Sequence, residues 1–486
     1  MIELEQISYT YPHTAQKALD HLSFTIPKGK CVLVTGPSGA GKTTLCLASA
    51  GILHHEYGGK KEGTVTLDGK EVSTFGSLSE VARTLGIVFD DAEAQMIFTT
   101  VEEEILSALE YRGLAAEVVE ERLSTIMEKT HLTELRNRSP HHLSGGQKQR
   151  AALAATLALG NDILILDEPT SELDEGATSR IVDILRGLKN EGKTILLVEH
   201  KFEHFRDMVD ILVVMENGGI SAMGKPEEVL SDERIRKIVV ADFSGIRSGN
   251  KDKTAENSLC KNPDSSPVIS VNNLVYSYEK FRALDKITLT IAAGEFIAIV
   301  GENGSGKTTL VKHFNGLLVP ESGTVVIAGK DTKLSSTTEL SKLVGLVFQN
   351  PDHMFFADSV YDEVAFGLKN QGVTDMDGTI RSALEEVNLG HTSSLYPRWL
   401  SRGERQRLAI ACVIAMQPRI IVLDEPTTGL DGNEARLVMD VLKRLQQKGH
   451  TIVVITHNRE IAEHCADRIL RMDGGRIISD TPARSV

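Results

Sequence analysis

Gly36-Pro37-Ser38-Gly39-Ala40-Gly41-Lys42-Thr43-Thr44 is answered later in the same chain by Gly301-Glu302-Asn303-Gly304-Ser305-Gly306-Lys307-Thr308-Thr309. Both stretches fit G-x-x-x-x-G-K-[ST], a loop whose glycines let backbone N–H groups curl around phosphate oxygens. Its lysine reaches the β- and γ-phosphates and its first threonine hydroxyl ligates Mg²⁺. Every residue of the two stretches is therefore a candidate nucleotide contact, with Thr43 and Thr308 as candidate metal ligands. Each loop follows an apolar run, Cys31-Val32-Leu33-Val34-Thr35 and Phe296-Ile297-Ala298-Ile299-Val300, as a strand feeding a helix requires. Two matches followed by the same further motifs in the same order predict two nucleotide sites in one chain.

The repeat organises everything else. Lys42 and Lys307 lie 265 positions apart, Asp90 and Gln349 lie 259 apart, and Leu143–Leu400, Asp167–Asp424 and His200–His457 are each offset by 257. The copies are thus colinear, with the first longer before its mid-region and no net length change after Leu143. In each copy an opening strand region (2–7; 268–273) precedes the loop, a turn-bounded strand follows it (63–69; 323–329), and buried-strand runs close the motif set (163–166; 420–423). Strands alternating with helices predict an α/β architecture around a largely parallel core. The domains expected are 1–243 and 268–486. The intervening stretch 244–267, rich in Ser, Gly, Asn, Lys, Asp and Pro, is read as a linker averaging ~27 Å end to end, enough to let the two halves face each other.

Bulk properties narrow the class. The formal charge of −14 argues against a general nucleic-acid binder. Cys31, Cys46, Cys260, Cys412 and Cys465 are scattered without a C-x-x-C pair, which fits a reducing compartment. The N-terminus carries no basic-then-apolar leader, and no apolar run approaches the ~20 residues that cross a bilayer, so a membrane role has to come through a partner.

The remaining motifs carry the chemistry. Asp167-Glu168-Pro169-Thr170 and Asp424-Glu425-Pro426-Thr427 each end an apolar strand. Asp167 and Asp424 are placed to hold Mg²⁺ beside the phosphate loop, and Glu168 and Glu425 to polarise the attacking water as general bases. His200 and His457 each end another apolar strand, where an imidazole donates to the γ-phosphate. Ser144-Gly145-Gly146-Gln147, after Leu143, and Ser401-Arg402-Gly403-Glu404, after Leu400, open helices whose serine hydroxyl and glycine N–H groups form an anion site. Ser followed by Gln or Glu three residues on is also a capping box.

This set resembles two ATP-binding cassettes in tandem, the ABC ATPase family, over essentially the whole chain. The resemblance implies an antiparallel β subdomain and an inserted helical subdomain on each α/β core. It also implies head-to-tail pairing within the chain, each ATP lying between the phosphate loop of one cassette and the signature of the other. Site one then joins Lys42, Thr43, Asp167, Glu168 and His200 to Ser401, Gly403 and Glu404. Site two joins Lys307, Thr308, Asp424, Glu425 and His457 to Ser144, Gly145, Gly146 and Gln147. Tyr11 and Tyr278 match the family's aromatic platform for adenine, with Tyr9 and Tyr276 close by. The D-loops are Ser171-Glu172-Leu173-Asp174 and Thr428-Gly429-Leu430-Asp431. Gln349 matches the glutamine that contacts Mg²⁺ or the attacking water, whereas the first copy has Asp90 there.

Within the family, Val347-Phe348-Gln349-Asn350-Pro351-Asp352 with Val364-Ala365-Phe366-Gly367-Leu368 is similar to energy-coupling factor transporter ATPases. The fused form resembles importers of thiamine or its hydroxymethylpyrimidine precursor. That implies a transmembrane coupling subunit, a membrane substrate-binding subunit, a place on the cytoplasmic face of the membrane, and no nucleic acid. The alternatives are a tandem ATPase acting on ribosomes or nucleic acid, a sugar-import tandem ATPase, and a non-hydrolysing scaffold. The short linker and acidic chain oppose the first, the intact second phosphate loop opposes the second, and the intact Glu168, Glu425, His200 and His457 oppose the third.

Asp90 and the altered signature at Arg402 and Glu404 fall in the same composite site, which predicts slower hydrolysis at site one, with Arg402 turned aside. His54-His55 and His141-His142 are adjacent pairs without ligand spacing. Glu102-Glu103-Glu104 is read as a solvated helix start or as a face toward a partner's basic helix. Segments 94–105 and 353–364, with Met96, Phe98, Met354, Phe355 and Phe356, are read either as a groove for a short coupling helix or as internal packing.

Overall fold

The computed structural model describes residues 1–12, 14, 16–110, 115–171, 173–240, 267–279 and 281–483. The chain divides into two compact units, Met1–Ala241 and Asp242–Val486. The expected linker at 244–267 lies outside the described residues apart from Pro267.

Unit one is built on a six-stranded sheet in the order Gly219–Gly224, Ile211–Glu216, Cys31–Thr35, Thr194–Val198, Ile163–Asp167, Leu85–Val88. Every pairing in it is parallel except the Gly219–Gly224 edge, which runs antiparallel to its neighbour. Strands Cys31–Thr35, Ile163–Asp167 and Thr194–Val198 are buried at every position, the pattern of a parallel sheet covered on both faces. Unit two repeats the order with Arg476–Pro482, Arg468–Asp473, Phe296–Val300, Thr451–Ile455, Ile420–Asp424 and Val344–Val347. The phosphate-loop strand is thus central in each unit, flanked by the strand that leads to the switch histidine, His200 or His457.

A second, antiparallel sheet joins Leu19–Ile26, Ile2–Thr10, Lys60–Leu67 and Lys70–Glu71 in unit one, and Phe281–Ile291, Ile269–Tyr278, Ser322–Ile327 and Lys330–Asp331 in unit two. The last hairpin of each turns on two residues of positive φ, Asp68 (49°) with Gly69 (83°), and Ala328 (46°) with Gly329 (84°). This is the tight turn whose twist suits a hairpin. Asp-Gly is the favoured pair for it; alanine at the first position pays roughly 1 kcal/mol of left-handed strain.

The helical part of unit one, Val101–Glu110, Ala116–Lys129 and Gly145–Ala158, closes its own small core around Val101, Ile105, Leu109, Leu123 and Met127. Its counterpart is Val360–Asn370, Asp377–Glu386 and Arg402–Ala415. Behind the sheets run the amphipathic helices Glu175–Asn190 and Gly432–Gln447. Each starts on an aspartate of the D-loop: Asp174 accepts from Ala177 N at 2.7 Å, and Asp431 from Glu434 N at 2.9 Å. In the first, Ile181, Leu185 and Leu188 are buried at helical spacing, each worth about 2 kcal/mol of transfer from water. The expected architecture, an α/β core carrying a β subdomain and a helical subdomain, is present in both units.

Candidate functional site

The phosphate loops lie where strands Cys31–Thr35 and Phe296–Val300 give way to helices Lys42–Ser49 and Lys307–Lys312. Glycine is required at their first position. A Cβ on Gly36 (φ 144°) would stand 2.1 Å from the Met215 carbonyl oxygen, and one on Gly301 (φ 154°) 2.2 Å from that of Met472. The loop is therefore pinned against the neighbouring strand, which fixes where its N–H groups point. Lys42 Nζ donates to the Gly36 and Pro37 carbonyls at 2.9 and 3.0 Å, and Lys307 Nζ to Gly301 and Glu302 at 2.7 and 2.9 Å. Both lysines are buried, so their charge is held inside the loop they serve.

Asp167 and Asp424 end the next strands but one, level with Val34 and Ile299 of the phosphate-loop strands. Thr308 Oγ1 donates to Asp424 Oδ2 at 2.6 Å, and Thr43 makes the corresponding bond to Asp167. Oδ1 of Asp167 is buried with no hydrogen-bond partner. A hydroxyl and a buried carboxylate with a spare oxygen fit a hard, oxygen-seeking cation such as Mg²⁺. Burial pushes the Asp167 carboxyl up to about 7, with the Glu168 and Asp90 charges adding to it and Thr43 and Lys42 opposing it. Burial also raises Asp424, aided by Glu425 and opposed by Thr308 and Lys307. The extra carboxylate at Asp90 is thus felt only in the first unit.

Glu168 and Glu425 follow immediately, both in the left-handed backbone region at φ 47° and 50°. A glutamate there is strained, and the next residue is a proline, which further restricts it. A backbone bond across to the histidine strand holds each one, Glu168 N to Val198 O at 2.9 Å and Glu425 N to Ile455 O at 3.0 Å. The histidines meet them: His200 Nε2 stands 3.0 Å from Glu168 Oε1, and His457 Nε2 stands 2.5 Å from Glu425 Oε1. His457 Nε2 is also 3.1 Å from Asn303 Oδ1 of the phosphate loop. Burial alone would raise the Glu425 carboxyl, but the His457 bond and charge, with Thr428 and Lys307, hold it below the usual carboxylate range. Loop lysine, threonine–aspartate pair, glutamate and histidine therefore converge in each unit, from residues up to 158 positions apart in the first.

Residues 19–171 and 284–428 match the ABC transporter family. The chain belongs to that family and is a tandem ABC transporter ATP-binding protein. Similar relatives are candidate ABC transporter ATP-binding proteins of Methanosarcina mazei, 50% identical over 487 residues, covering 99% of this chain and 95% of that one, and of Methanosarcina acetivorans, 49% identical over 486 residues, covering 100% and 91%. A solved structure, cbiO1 of Clostridium perfringens, described as part of the ABC transporter complex cbiONQ, is 34% identical with a TM-score of 0.42, covering 45% of this chain and 89% of that one. As an ABC ATPase the protein binds and hydrolyses ATP.

The signature helices of this ABC ATPase both open on complete capping boxes. Ser144 caps Gln147 N, whose side chain returns to Ser144 N, and Ser401 does the same with Glu404. Glu404 thus replaces glutamine without loss of the cap. Arg402 lies against its own D-loop, because a Cβ on Gly429 would stand 2.5 Å from the Arg402 guanidinium carbon. Glycine at 429 makes room for the side chain. Each signature helix is also tied to the mid-region loop by one ion pair, Lys148–Glu93 at 2.5 Å and Arg405–Asp352 at 2.9 Å, with charge and spacing retained between copies.

Of the tyrosine pairs, Tyr9 is buried with its hydroxyl donating to Gly58 O at 2.5 Å, whereas Tyr278 is exposed and Tyr11 is half-buried with its hydroxyl 3.2 Å from Thr44 Oγ1. This supports Tyr11 and Tyr278 as the outer rings. Gln349 and Asp90 are exposed at equivalent strand ends.

The acidic run starts the helix Val101–Glu110, and its three members differ. Glu102 pairs with Arg136, Glu103 accepts from Thr99 and Thr100 at the helix start, and Glu104 is buried and accepts from Ile97 N and Phe98 N at 2.9 Å each. Glu103 is thus exposed at a capped helix start, whereas Glu104 is turned inward. Glu363 repeats the device, accepting from Phe356 N and Ala357 N at 3.0 and 2.8 Å. The loops it shapes divide their apolar residues. Phe355 is buried and Met96 packs inward, while Ile97, Phe98 and Phe356 face outward, Phe356 against Phe366 at 4.4 Å between ring centres. The sequence reading missed Ile97, Phe366 and the exposed Trp399 as surface residues. It also missed Glu199, a wholly buried carboxylate beside His200. The signal was present: an acidic residue closing an apolar strand where the second copy has Thr456.

Among the described residues no helix is long and apolar enough to cross a membrane.

Proposed function

We propose that the protein is the ATP-hydrolysing motor of an energy-coupling-factor-type importer, bound to the cytoplasmic face of the membrane through a transmembrane coupling subunit and a membrane substrate-binding subunit. The cargo class is a vitamin, such as thiamine or its precursor, or a metal ion. The observation that carries the motor reading is the repeated convergence of lysine, threonine–aspartate pair, glutamate and histidine in each unit. The importer reading is supported by resemblance in the stretch 347–368 and by the outward apolar residues Ile97, Phe98, Phe356 and Phe366, which suit a short amphipathic helix laid into a groove.

The cassettes pair head to tail within the chain. Site one takes its phosphate loop, Asp167, Glu168 and His200 from the first unit and Ser401, Gly403 and Glu404 from the second. Site two takes Lys307, Asp424, Glu425, Gln349 and His457 from the second unit and Ser144 through Gln147 from the first. Thr43 with Asp167, and Thr308 with Asp424 and Gln349, would hold Mg²⁺, which when bound neutralises phosphate charge. Glu168 and Glu425 take a proton from the attacking water, and His200 and His457 donate to the γ-phosphate and so separate ATP from ADP. Asp90 adds negative charge beside triphosphate in site one, and Arg402 leaves the phosphate contact there to Ser401 and the Gly403 N–H. Site one is therefore the slower.

Cysteines placed at Ser38 and Ser401, in a chain otherwise free of cysteine, should crosslink within one molecule when ATP and magnesium are bound. Crosslinking of Ser38→Cys to Ser144→Cys instead would overturn the head-to-tail reading. Co-purification with two membrane subunits, with ATPase stimulated on assembly, tests the importer reading; ATP-dependent sedimentation with ribosomes would replace it.

A further inference from the structure

Glu199 is a buried acid beside the switch histidine that the hydrolytic reading leaves without a task. It is 1% exposed, and its two oxygens accept four hydrogen bonds. Oε1 takes the Thr170 N–H at 2.9 Å and the Thr170 hydroxyl. Oε2 takes His200 N at 2.9 Å and Lys201 N at 3.3 Å. A carboxylate has about four lone-pair positions, so this one is fully used, and each bond is charge-assisted. Lys201 completes the lattice from the other side, donating to the Thr170 and Leu173 carbonyls at 2.8 and 3.2 Å.

The two segments joined in this way carry the reacting groups. Thr170 is two residues beyond Glu168 and immediately precedes the D-loop; His200 is the switch histidine. Unit two lacks the device. Its residues at these positions are Thr456 and Asn458. The Thr456 hydroxyl accepts from Asn458 N at 3.0 Å, and Asn458 caps the following helix through Ile461 N at 3.1 Å. Both side chains are spent on their own side of the gap.

We infer that Glu199 is a positioning residue specific to the first cassette: its carboxylate clamps the backbone of Thr170 to that of His200 and Lys201, so that the D-loop and the switch histidine move as one body and Glu168 and His200 keep their register. The second cassette keeps its glutamate and histidine in register by the direct, shorter contact of Glu425 with His457. Because the clamp acts on backbone groups behind the phosphate pocket, its loss spares ATP binding and slows the chemical step. The inference rests on the assignment of Glu168 and His200 to hydrolysis.

The test uses the full chain with Glu425→Gln, so that turnover reports the first cassette's glutamate. Adding Glu199→Thr, the second copy's residue, should lower kcat roughly tenfold, with KM for ATP changed less than about twofold. Amide exchange at Thr170, His200 and Lys201 should quicken, with the rest of the sheet unaffected. Glu199→Gln keeps one acceptor oxygen and should recover part of the rate; it also serves if the threonine variant folds poorly. In the reciprocal background, Glu168→Gln, Glu199→Thr should leave turnover unchanged. A kcat within twofold of the parent, or an equal loss in both backgrounds, would overturn the clamp. If Glu168→Gln fails to abolish turnover in the Glu425→Gln chain, the assignment of Glu168 itself is wrong, a result separable from failure of the clamp.

Discussion

In the first cassette the glutamate and histidine at the strand ends stand 3.0 Å apart, with a buried carboxylate bracing the backbone behind them; in the second they stand 2.5 Å apart, the Glu425 carboxyl is held low by His457, and no second acid intervenes. The loop lysine, threonine–aspartate pair, glutamate and histidine are the same in both. What differs lies around that contact layer: Asp90 against Gln349, Glu199 against Thr456, Gly145 against Arg402, Ala177 against Glu434. Duplication has kept this layer and let its surroundings diverge, so the two halves share a chemistry and differ in how firmly they hold it.

Substitutions in the contact layer should hit both halves alike. Gly36→Ala and Gly301→Ala drive a Cβ into a strand carbonyl and should each cut nucleotide affinity at their own site by more than about 100-fold, measured by titration with a fluorescent ATP analogue. A tenfold milder loss in one copy would mean that the loops are not equivalent. Substitutions in the outer layer should discriminate. Asp90→Gln removes a negative charge beside Asp167 and should raise ATP affinity at the first phosphate loop roughly three- to tenfold, while Gln349→Asp lowers it comparably at the second. No change in either would show that this position does not set the difference.

Stability sharpens the comparison further. Buried Arg407 pairs with Glu434 in unit two, whereas its counterpart Arg150 donates to the Thr130 and His131 carbonyls. Glu434→Ala should cost unit two about 2–3 kcal/mol by leaving the guanidinium without its carboxylate, read from the denaturant midpoint of that unit. The smallest effect belongs to the hairpin turn. Ala328→Asn should stabilise unit two by roughly 0.5–1 kcal/mol by relieving left-handed strain that Asp68-Gly69 in unit one carries less of.

Much of the site is legible in the sequence because its chemistry is local. A phosphate loop is nine consecutive residues, and the acids and histidines end strands whose apolar runs announce them. The α/β architecture around a largely parallel core follows from the same runs. What the sequence hides are bonds between side chains and distant backbone. Glu199 finds its partner 29 positions earlier, at Thr170. Glu104 looks like part of a solvated acidic run until the chain folds back so that Ile97 and Phe98 donate to it. Met96 and Ile97 are neighbours of similar hydropathy, yet one packs inward and the other is 82% exposed. No periodicity separates them, because the loop they sit in has none.

The inequality of the two cassettes is the claim on which the comparison turns. It is tested most directly by replacing Glu168 and Glu425 separately with glutamine and measuring ATP turnover in the assembled membrane complex. The Glu425 variant should lose most of the turnover, and the Glu168 variant a clearly smaller part. Equal losses would contradict the account.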